Sequence, residues 1–118
     1  MARTTRCFVP GHALHIVQRG NNRSICFVDD ADRVVYLGML AELAGETRCA
    51  VHAYVLMGNH VHMLVTPESP NAPSSLMQRI GMRFAAYVNR RHRRTGTLWE
   101  GRFRSSVVET DDYVASCH

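Results

Sequence analysis

The sequence predicts an α+β protein in which two helices cover one face of an antiparallel sheet. Segments that alternate as strands do are interleaved with two segments whose apolar residues recur at helical spacing. A Gly58-Asn59 pair between two β-rich runs indicates a tight β-hairpin. The length of 118 residues suits a single core, and we therefore expect residues 1–118 to form one domain.

The first half of the chain predicts one strand and one helix. Residues 12–19 alternate, with Leu14 and Ile16 on one face and His15 on the other, and a Gly-Asn-Asn turn follows. Two aspartates then provide a good helix N-cap. Apolar residues at helical spacing after them predict a helix over about residues 31–47.

The second half predicts the β-hairpin, a second helix, a fourth strand and the start of a third helix. The order β-α-β-β-α-β-α indicates a ferredoxin-like split β-α-β sandwich, which leaves its second sheet face free for a site. These elements are strands over residues 50–57 and 60–65, a helix from Ser74 or Ser75 to Gly96, a strand over residues 103–108, and a helix capped by residues 110–112.

The charge of the chain favours a nucleic-acid partner. The formal net charge is +4, and all 14 basic residues are arginine. Arginine binds phosphate through a planar fork of donors, whereas lysine offers a point charge. A bias in the nucleotide composition of the gene would explain the missing lysine equally well, but it would not explain why the arginines cluster.

The cysteines and the hydropathy pattern exclude several classes. The four cysteines are widely separated and form no C-x-x-C pair, which argues against a zinc ribbon or a thioredoxin-like site. There is no secretory signal and no apolar run of roughly 18 residues. We therefore expect reduced thiols, no membrane partner and a cytoplasmic location.

The segment His60-Val61-His62 is the candidate metal site. Side chains alternate along a strand, so both histidines share one face while Val61 points to the other. Neutral imidazole is a common ligand of divalent metals. From the spacing alone, an ordinary exposed strand with two polar residues is an equal alternative, because H-x-H is a short motif.

Three segments resemble one known family in the same order along the chain. Residues 54–65, YVLMGNHVHMLV, resemble the HUH motif of small single-tyrosine transposases, in which U is a bulky apolar residue. Residues 15–23, HIVQRGNNR, are similar to the first strand and turn of the branch called REP-associated tyrosine transposases. Residues 96–105, GTLWEGRFRS, resemble the segment before the last strand of that branch, so the resemblance covers nearly the whole chain.

The resemblance implies a nucleophile and a cofactor. Tyr113 would attack a DNA phosphate, form a 5′-phosphotyrosine link and release a 3′-OH. A divalent metal, Mg²⁺ or Mn²⁺, held by His60 and His62 would polarise that phosphate. Without the resemblance, Tyr113 would be interpreted as a partly buried aromatic residue at a helix start.

The C-terminal residues depart from the family pattern. The polar residue that completes the metal shell in relatives is replaced by Cys117, a soft ligand that suits magnesium poorly, and His118 is the alternative. Asp111 and Asp112 are better explained as a helix cap than as metal ligands. Because chains of this family continue further, we expect more C-terminal helix beyond residue 118.

The candidate DNA-binding residues are arginines and asparagines. Four arginines near residue 92 exceed what a helix C-terminus needs, so phosphate contact is favoured for them. Arg102 and Arg104 are expected to share a strand face beside the metal, and the basic N-terminus is a candidate arm. The candidates are Arg3, Arg6, Arg19, Asn21, Asn22, Arg23, Arg90, Arg91, Arg93, Arg94, Arg102 and Arg104.

The leading hypothesis is a DNA strand transferase. It would cleave and transfer single-stranded DNA that folds into palindromic hairpins, as a monomer or a homodimer in the bacterial cytoplasm at the nucleoid. One alternative is a replication or relaxation initiator nuclease of the HUH class. Another is a non-catalytic nucleic-acid-binding ferredoxin-like module, which usually carries aromatic residues on its sheet. Trp99 is expected either to lie in the core or to stack on a base.

Overall fold

Five strands form one antiparallel sheet in the computed structural model, which describes residues 8–108 and the backbone of residues 114–117. The spatial order is β2-β3-β1-β4-β5. The strands are β1 (Ala13–Arg19), β2 (Cys49–Leu56), β3 (His60–Pro67), β4 (Arg104–Val108) and β5 (Val114–Cys117), and the helices are α1 (Asp30–Thr47) and α2 (Ala72–Arg91). This architecture confirms the predicted α+β sandwich.

The alternation of apolar residues along β1 and β3 decides which face of the sheet the helices cover. Leu14, Ile16, Val61 and Met63 are at most 1% exposed and belong to one core cluster with the inward residues of both helices. The alternate residues of the same strands are half-buried and point away from the helices. The predicted free face is therefore present.

The two helices begin and end close to the predicted positions. Asp29 caps α1, because its Oδ1 accepts a hydrogen bond from the backbone N–H of Asp32 at 3.2 Å. Helix α2 begins earlier than predicted, with Pro73 in its first turn, where the missing N–H costs nothing. It ends at Arg91, because Arg93 adopts a left-handed backbone conformation with φ 53°.

The predicted C-terminal helix is wrong for residues 114–117. These residues form β5, which pairs with β4 from Val108↔Val114 to Ser105↔Cys117. Without β5 the outer edge of β4 would leave a row of unpaired backbone donors and acceptors. Pairing with β5 satisfies these groups, and this is the physical reason for the difference.

An aromatic cluster fills the core beneath the sheet. Phe27, Tyr36, Phe84 and Trp99 contact one another with ring centroids 5.0–6.5 Å apart. Trp99 is only 9% exposed, so it is a core residue and cannot stack on a base without leaving the core.

Neither of the two described α-helices has the length and apolarity that crossing a bilayer requires.

Candidate functional site

The open face of the sheet brings two histidines and two arginines together. In the strand register His62 lies opposite Val17, which in turn lies opposite Arg104, and His60 lies opposite Arg19. The rings of His60 and His62 have centroids 4.9 Å apart and are nearly perpendicular. Because side chains alternate along β3, both imidazoles lie on the same face of the sheet, as predicted.

Each of the two imidazoles uses its Nδ1 in a hydrogen bond. His60 Nδ1 lies 2.8 Å from Asn59 Oδ1, and His62 Nδ1 lies 3.0 Å from His15 Nε2. Neither Nε2 atom has a hydrogen-bond partner among the residues that the structure describes. Burial lowers the pKa of His62, and the charges of His15, His60 and Arg19 lower it further, which favours the neutral form that binds metals.

The donor set of this face fits a divalent cation as part of a larger shell. Two neutral imidazoles suit first-row metals such as iron and zinc, and Mg²⁺ or Mn²⁺ would need oxygen ligands beside them. Among the described residues there is no group of three or more His, Cys, Asp or Glu side chains that could hold a metal ion. A cation held by these two imidazoles would therefore need further ligands of another kind, such as water or substrate oxygens, or residues outside the described ranges.

A basic cleft of about 320 Å³ lies next to the histidines. Three backbone segments converge to form it, because Gly20 N donates to Asn59 O at 2.8 Å and Glu100 N donates to Arg19 O at 2.8 Å. A Cβ added to Gly20 would lie 2.3 Å from Ser24 O, so the turn requires glycine. The cleft is lined by Arg19, Gly20, Arg23, Asn59, Glu100 and Arg104.

The polar turn after β1 is a short 3₁₀ segment, Asn21–Arg23. Asn22 and Arg23 both have positive φ, at 53° and 60°, and both side chains are exposed. The backbone N–H of Asn21 donates to Leu98 O at 2.8 Å. This turn therefore presents Arg23 to the basic cleft and Asn22 to solvent.

Arg102 and Arg104 do not share a strand face, so this expectation is wrong. Strand β4 begins at Arg104, and Arg102 lies before it in a bend where Gly101 has φ 27°. Arg104 lines the basic cleft, whereas Arg102 lines a separate cleft of about 330 Å³ with Gln18 and Met77. The buried Phe103 separates the two arginines along the chain.

The arginine run at the end of α2 divides into two groups. Arg91 is bound by carboxylates, with Nη1 and Nη2 at 2.7 and 2.9 Å from Asp29 and Nη1 at 2.6 Å from Asp32. Arg94 is half-buried and donates to Thr97 O at 3.4 Å. Arg90 and Arg93 are exposed and have no carboxylate within ion-pair distance among the described residues.

Of the two aspartates that bind Arg91, Asp29 was predicted as part of a helix cap, and Asp32 was not predicted to have a role. Asp32 is fully buried, and its carboxylate accepts hydrogen bonds from Tyr87 Oη at 2.8 Å, His92 Nε2 at 2.9 Å and the backbone N–H of Val28 at 3.0 Å. The sequence did contain a sign of this buried role, because Asp32 is the third residue of α1 and lies on its apolar side. The network joins the start of α1 to the end of α2.

Several predicted site residues lie outside the described residues. These are Tyr113, Arg3, Arg6 and His118. Cys117 is described only as a backbone position in β5, opposite Ser105. Two residues that the prediction did not assign to the site, His15 and Asn59, contact its histidines directly.

The chain is similar to known transposases. The sequence profile described as "Transposase IS200 like" matches residues 8–117. The structure of a REP-associated tyrosine transposase bound to a REP hairpin superposes on this chain with a TM-score of 0.73, at 19% sequence identity. The match covers 96% of this chain but only 66% of that protein, which is just under two thirds of its length. A candidate transposase from Deinococcus radiodurans R1 superposes with a TM-score of 0.68 at 20% identity, over 92% of this chain and 88% of that one. No curated protein sequence matches the chain. With the profile spanning almost its whole length, the chain belongs to the family of IS200-like transposases.

Proposed function

We propose that this protein cleaves single-stranded DNA beside a hairpin and transfers the cut strand through a covalent phosphotyrosine. The observation that carries the proposal is the open sheet face, where two imidazoles with free Nε2 atoms lie beside a cleft of three arginines. Membership of the IS200-like family favours a transposase over a replication initiator. The hairpin substrate is proposed from the similarity to the structure bound to a REP hairpin.

In the proposed reaction Tyr113 is the nucleophile. Its phenolic oxygen gives up its proton and forms a bond to phosphorus. The bond from phosphorus to the 3′ oxygen breaks, and that oxygen takes up one proton to leave as a 3′-OH, so no net proton is consumed. A phenol with an ordinary pKa of about 10 is a poor nucleophile at neutral pH, so it depends on positioning and on charge stabilisation. Attack by the 3′-OH of another strand reverses these changes, which conserves the energy of the phosphodiester.

His60 and His62 are proposed to hold the divalent cation, Mg²⁺ or Mn²⁺. When bound, the cation supplies positive charge that polarises the scissile phosphate. The hydrogen bonds at their Nδ1 atoms orient the two rings so that both Nε2 atoms serve as ligands. Because the pKa of His62 is lowered, this residue stays neutral and ready to bind at physiological pH.

The basic cleft is proposed to hold the DNA backbone next to the scissile phosphate. Arg19, Arg23 and Arg104 present guanidinium groups there, and the guanidinium fork matches phosphate oxygens. Arg90 and Arg93 would contact phosphates further from the site, whereas Arg91 is already bound to two carboxylates. The proposed contacts also include Arg3, Arg6, Asn21, Asn22, Arg94 and Arg102.

The test is the formation of a denaturation-resistant adduct. The full chain is incubated with a labelled DNA hairpin that carries single-stranded flanks, with Mg²⁺ or Mn²⁺, and is then analysed on a denaturing gel. We expect an adduct from the wild type, none from Tyr113→Phe, and unchanged DNA-hairpin binding by that variant. Tyr54→Phe, at an exposed tyrosine of β2, is the matched control and should behave as the wild type.

Three results would contradict the proposal. An adduct that persists in Tyr113→Phe would show that another residue is the nucleophile. Cleavage that persists when His60 and His62 are both replaced by alanine would show that these histidines do not hold the metal. Retained DNA binding with no cleavage by the wild type under any metal would favour a non-catalytic module.

A further inference from the structure

We propose that His15 is a positioning residue of the metal site, which sets the tautomer and orientation of His62. This inference rests on the proposed function, because it concerns how His62 would present Nε2 to a cation. His15 lies on β1, 47 positions away from His62 in the sequence, and its Nε2 is 3.0 Å from His62 Nδ1. Its role is to accept the hydrogen of His62 Nδ1, not to bind the cation.

The relative orientation of the two rings distinguishes a hydrogen bond from a shared cation. Their planes are within 10° of each other, and their centroids are 5.2 Å apart while the two nitrogens are 3.0 Å apart. Since the centroid separation exceeds the N–N distance by about two ring radii, the rings lie end to end, with each nitrogen pointing at the other. Two ligands of one cation would instead direct their lone pairs at a common third point.

Either histidine could donate the hydrogen bond between His15 Nε2 and His62 Nδ1, and the direction decides whether Nε2 of His62 carries a hydrogen. A neutral imidazole carries one N–H, on either Nδ1 or Nε2. If His62 Nδ1–H donates to His15, the Nε2 of His62 has a free lone pair. If His62 accepts instead, its Nε2 carries the hydrogen and cannot be a ligand. Cation binding therefore requires His15 to be the acceptor.

His60 provides an internal comparison for this arrangement. Its Nδ1 lies 2.8 Å from Asn59 Oδ1, and a carbonyl oxygen can only accept a hydrogen bond. This contact fixes the hydrogen of His60 on Nδ1 and leaves Nε2 free. Asn59 and His15 thus perform the same task for the two histidines, and partners of this kind raise the basicity of a metal ligand.

The sheet holds His15 in place for this task. Its backbone lies in the central strand, paired with Leu64 of β3 and Ser106 of β4. His62 lies opposite Val17, so His15 and His62 are diagonal neighbours on one face, a separation that long side chains span. The strands on both sides therefore restrain the backbone of His15. A substitution at residue 15 should affect the metal site through the contact between His15 Nε2 and His62 Nδ1.

The first measurement concerns the wild-type protein without metal or DNA. Long-range ¹⁵N–¹H NMR of the full chain reports which ring nitrogen of each histidine carries the hydrogen. We expect His62 to carry it on Nδ1. A hydrogen on Nε2 of His62 would overturn the proposal, and this measurement does not depend on any variant folding.

The second measurement is Mn²⁺ affinity by electron paramagnetic resonance titration, again without DNA. His15→Phe keeps a flat ring but removes the acceptor, and we expect it to weaken Mn²⁺ binding about 10–100-fold. His15→Gln restores an acceptor at similar reach and should recover most of the affinity. His52→Phe is the matched control, because His52 is an exposed histidine that contacts Thr66.

The outcomes separate this inference from the proposed function. If Mn²⁺ binding is lost when both His60 and His62 become alanine but is unchanged in His15→Phe and His15→Gln, the positioning role is overturned and the metal centre stands. If the wild type binds no Mn²⁺ at all, the metal centre is overturned and the role of His15 with it. Equal losses in His15→Phe and His15→Gln would also contradict a role that an acceptor should rescue.

Discussion

Replacing Asp32 with asparagine tests whether the network between α1 and α2 stabilises the fold. Each carboxylate oxygen of Asp32 accepts two hydrogen bonds, Oδ1 from Tyr87 and Arg91 and Oδ2 from His92 and Val28. Asparagine has nearly the same shape but only one acceptor oxygen. Its amide N–H₂ must then face two donors in a fully buried position.

The expected loss follows from those two contacts. Hydrogen bonds to a charged group contribute about 1.5–3 kcal/mol each, and removing one partner of a buried charge pair costs about 3–5 kcal/mol. We therefore expect Asp32→Asn to lower the free energy of unfolding by about 3–5 kcal/mol. For a domain near this size each kcal/mol shifts Tm by about 4–8 °C, so the melting temperature should fall by more than about 12 °C.

The dependence of stability on pH gives an independent check. Burial alone would raise the pKa of Asp32, but hydrogen bonds from Val28, Tyr87, Arg91 and His92 outweigh burial and hold that pKa well below its usual range. The unfolded carboxyl, with a pKa of about 3.9, binds its proton first as pH falls. The contribution is therefore fully present above about pH 4 and is lost at lower pH, and the variant should have the flatter profile there.

Urea denaturation near pH 7, followed by circular dichroism, measures the change. Asp30→Asn is the matched control, because Asp30 has an almost fully exposed side chain that pairs with Arg33 at 3.3 Å, and such surface pairs contribute about 0–1 kcal/mol. A loss in Asp32→Asn no larger than that in Asp30→Asn would refute the reasoning.

Three further predictions concern the basic cleft and the core. Glutamine at any one arginine of the basic cleft should weaken binding to a DNA hairpin and reduce the slope of log K against log salt by about one, measured by fluorescence anisotropy; an unchanged slope would mean that the arginine contacts no phosphate. Gly20→Ala should lower the free energy of unfolding by about 1–3 kcal/mol or more, because its Cβ would lie 2.3 Å from Ser24 O, and a variant as stable as the wild type in urea would contradict this geometry. Burial raises the pKa of Cys26 to about 12, so iodoacetamide at pH 8 should label it only after unfolding, as peptide mass spectrometry of native and denatured samples would show.

Local patterns predicted most of the sheet and both long helices. The alternation around Leu14, the Gly58-Asn59 turn and the aspartate cap at Asp29 each act over a few residues, so the sequence shows them directly. The same alternation placed both histidines of β3 on the open face. Hydrogen-bond partners on other strands were not predictable in this way, and His15 is the example, because its contact with His62 depends on the register between β1 and β3.

The C-terminal strand and the ion pairs of Arg91 were not predicted because distant parts of the chain decide them. Residues 114–117 pair with the edge of β4, and an open edge is not visible in the segment itself. Arg91 lies in a run of like residues, but two aspartates near the start of α1 bind it. The separation of Arg102 from Arg104 has a local cause instead, because Arg102 lies in the bend that begins at Gly101 and β4 starts only at Arg104.

The distribution of ion pairs leaves the arginines of the basic cleft with uncompensated positive charge. Most acidic residues that the structure describes lie on the helices, where they form ion pairs with arginines. These pairs are Arg33–Asp30, Arg79–Glu46, Arg83–Glu42 and Arg91–Asp29, and Arg48–Glu68 is a further pair outside the helices. Among the residues that the structure describes, no carboxylate lies within ion-pair distance of the three cleft arginines, although Glu100 is one of the residues that line the cleft. Paired charges cancel at long range, whereas unpaired charges in a concave surface add. The cleft at the end of β1, beside the histidines, should therefore carry a net positive potential, which favours the approach of a phosphate backbone to it. Arg90 and Arg93, which have no carboxylate partner among the described residues, add a second positive region at the end of α2.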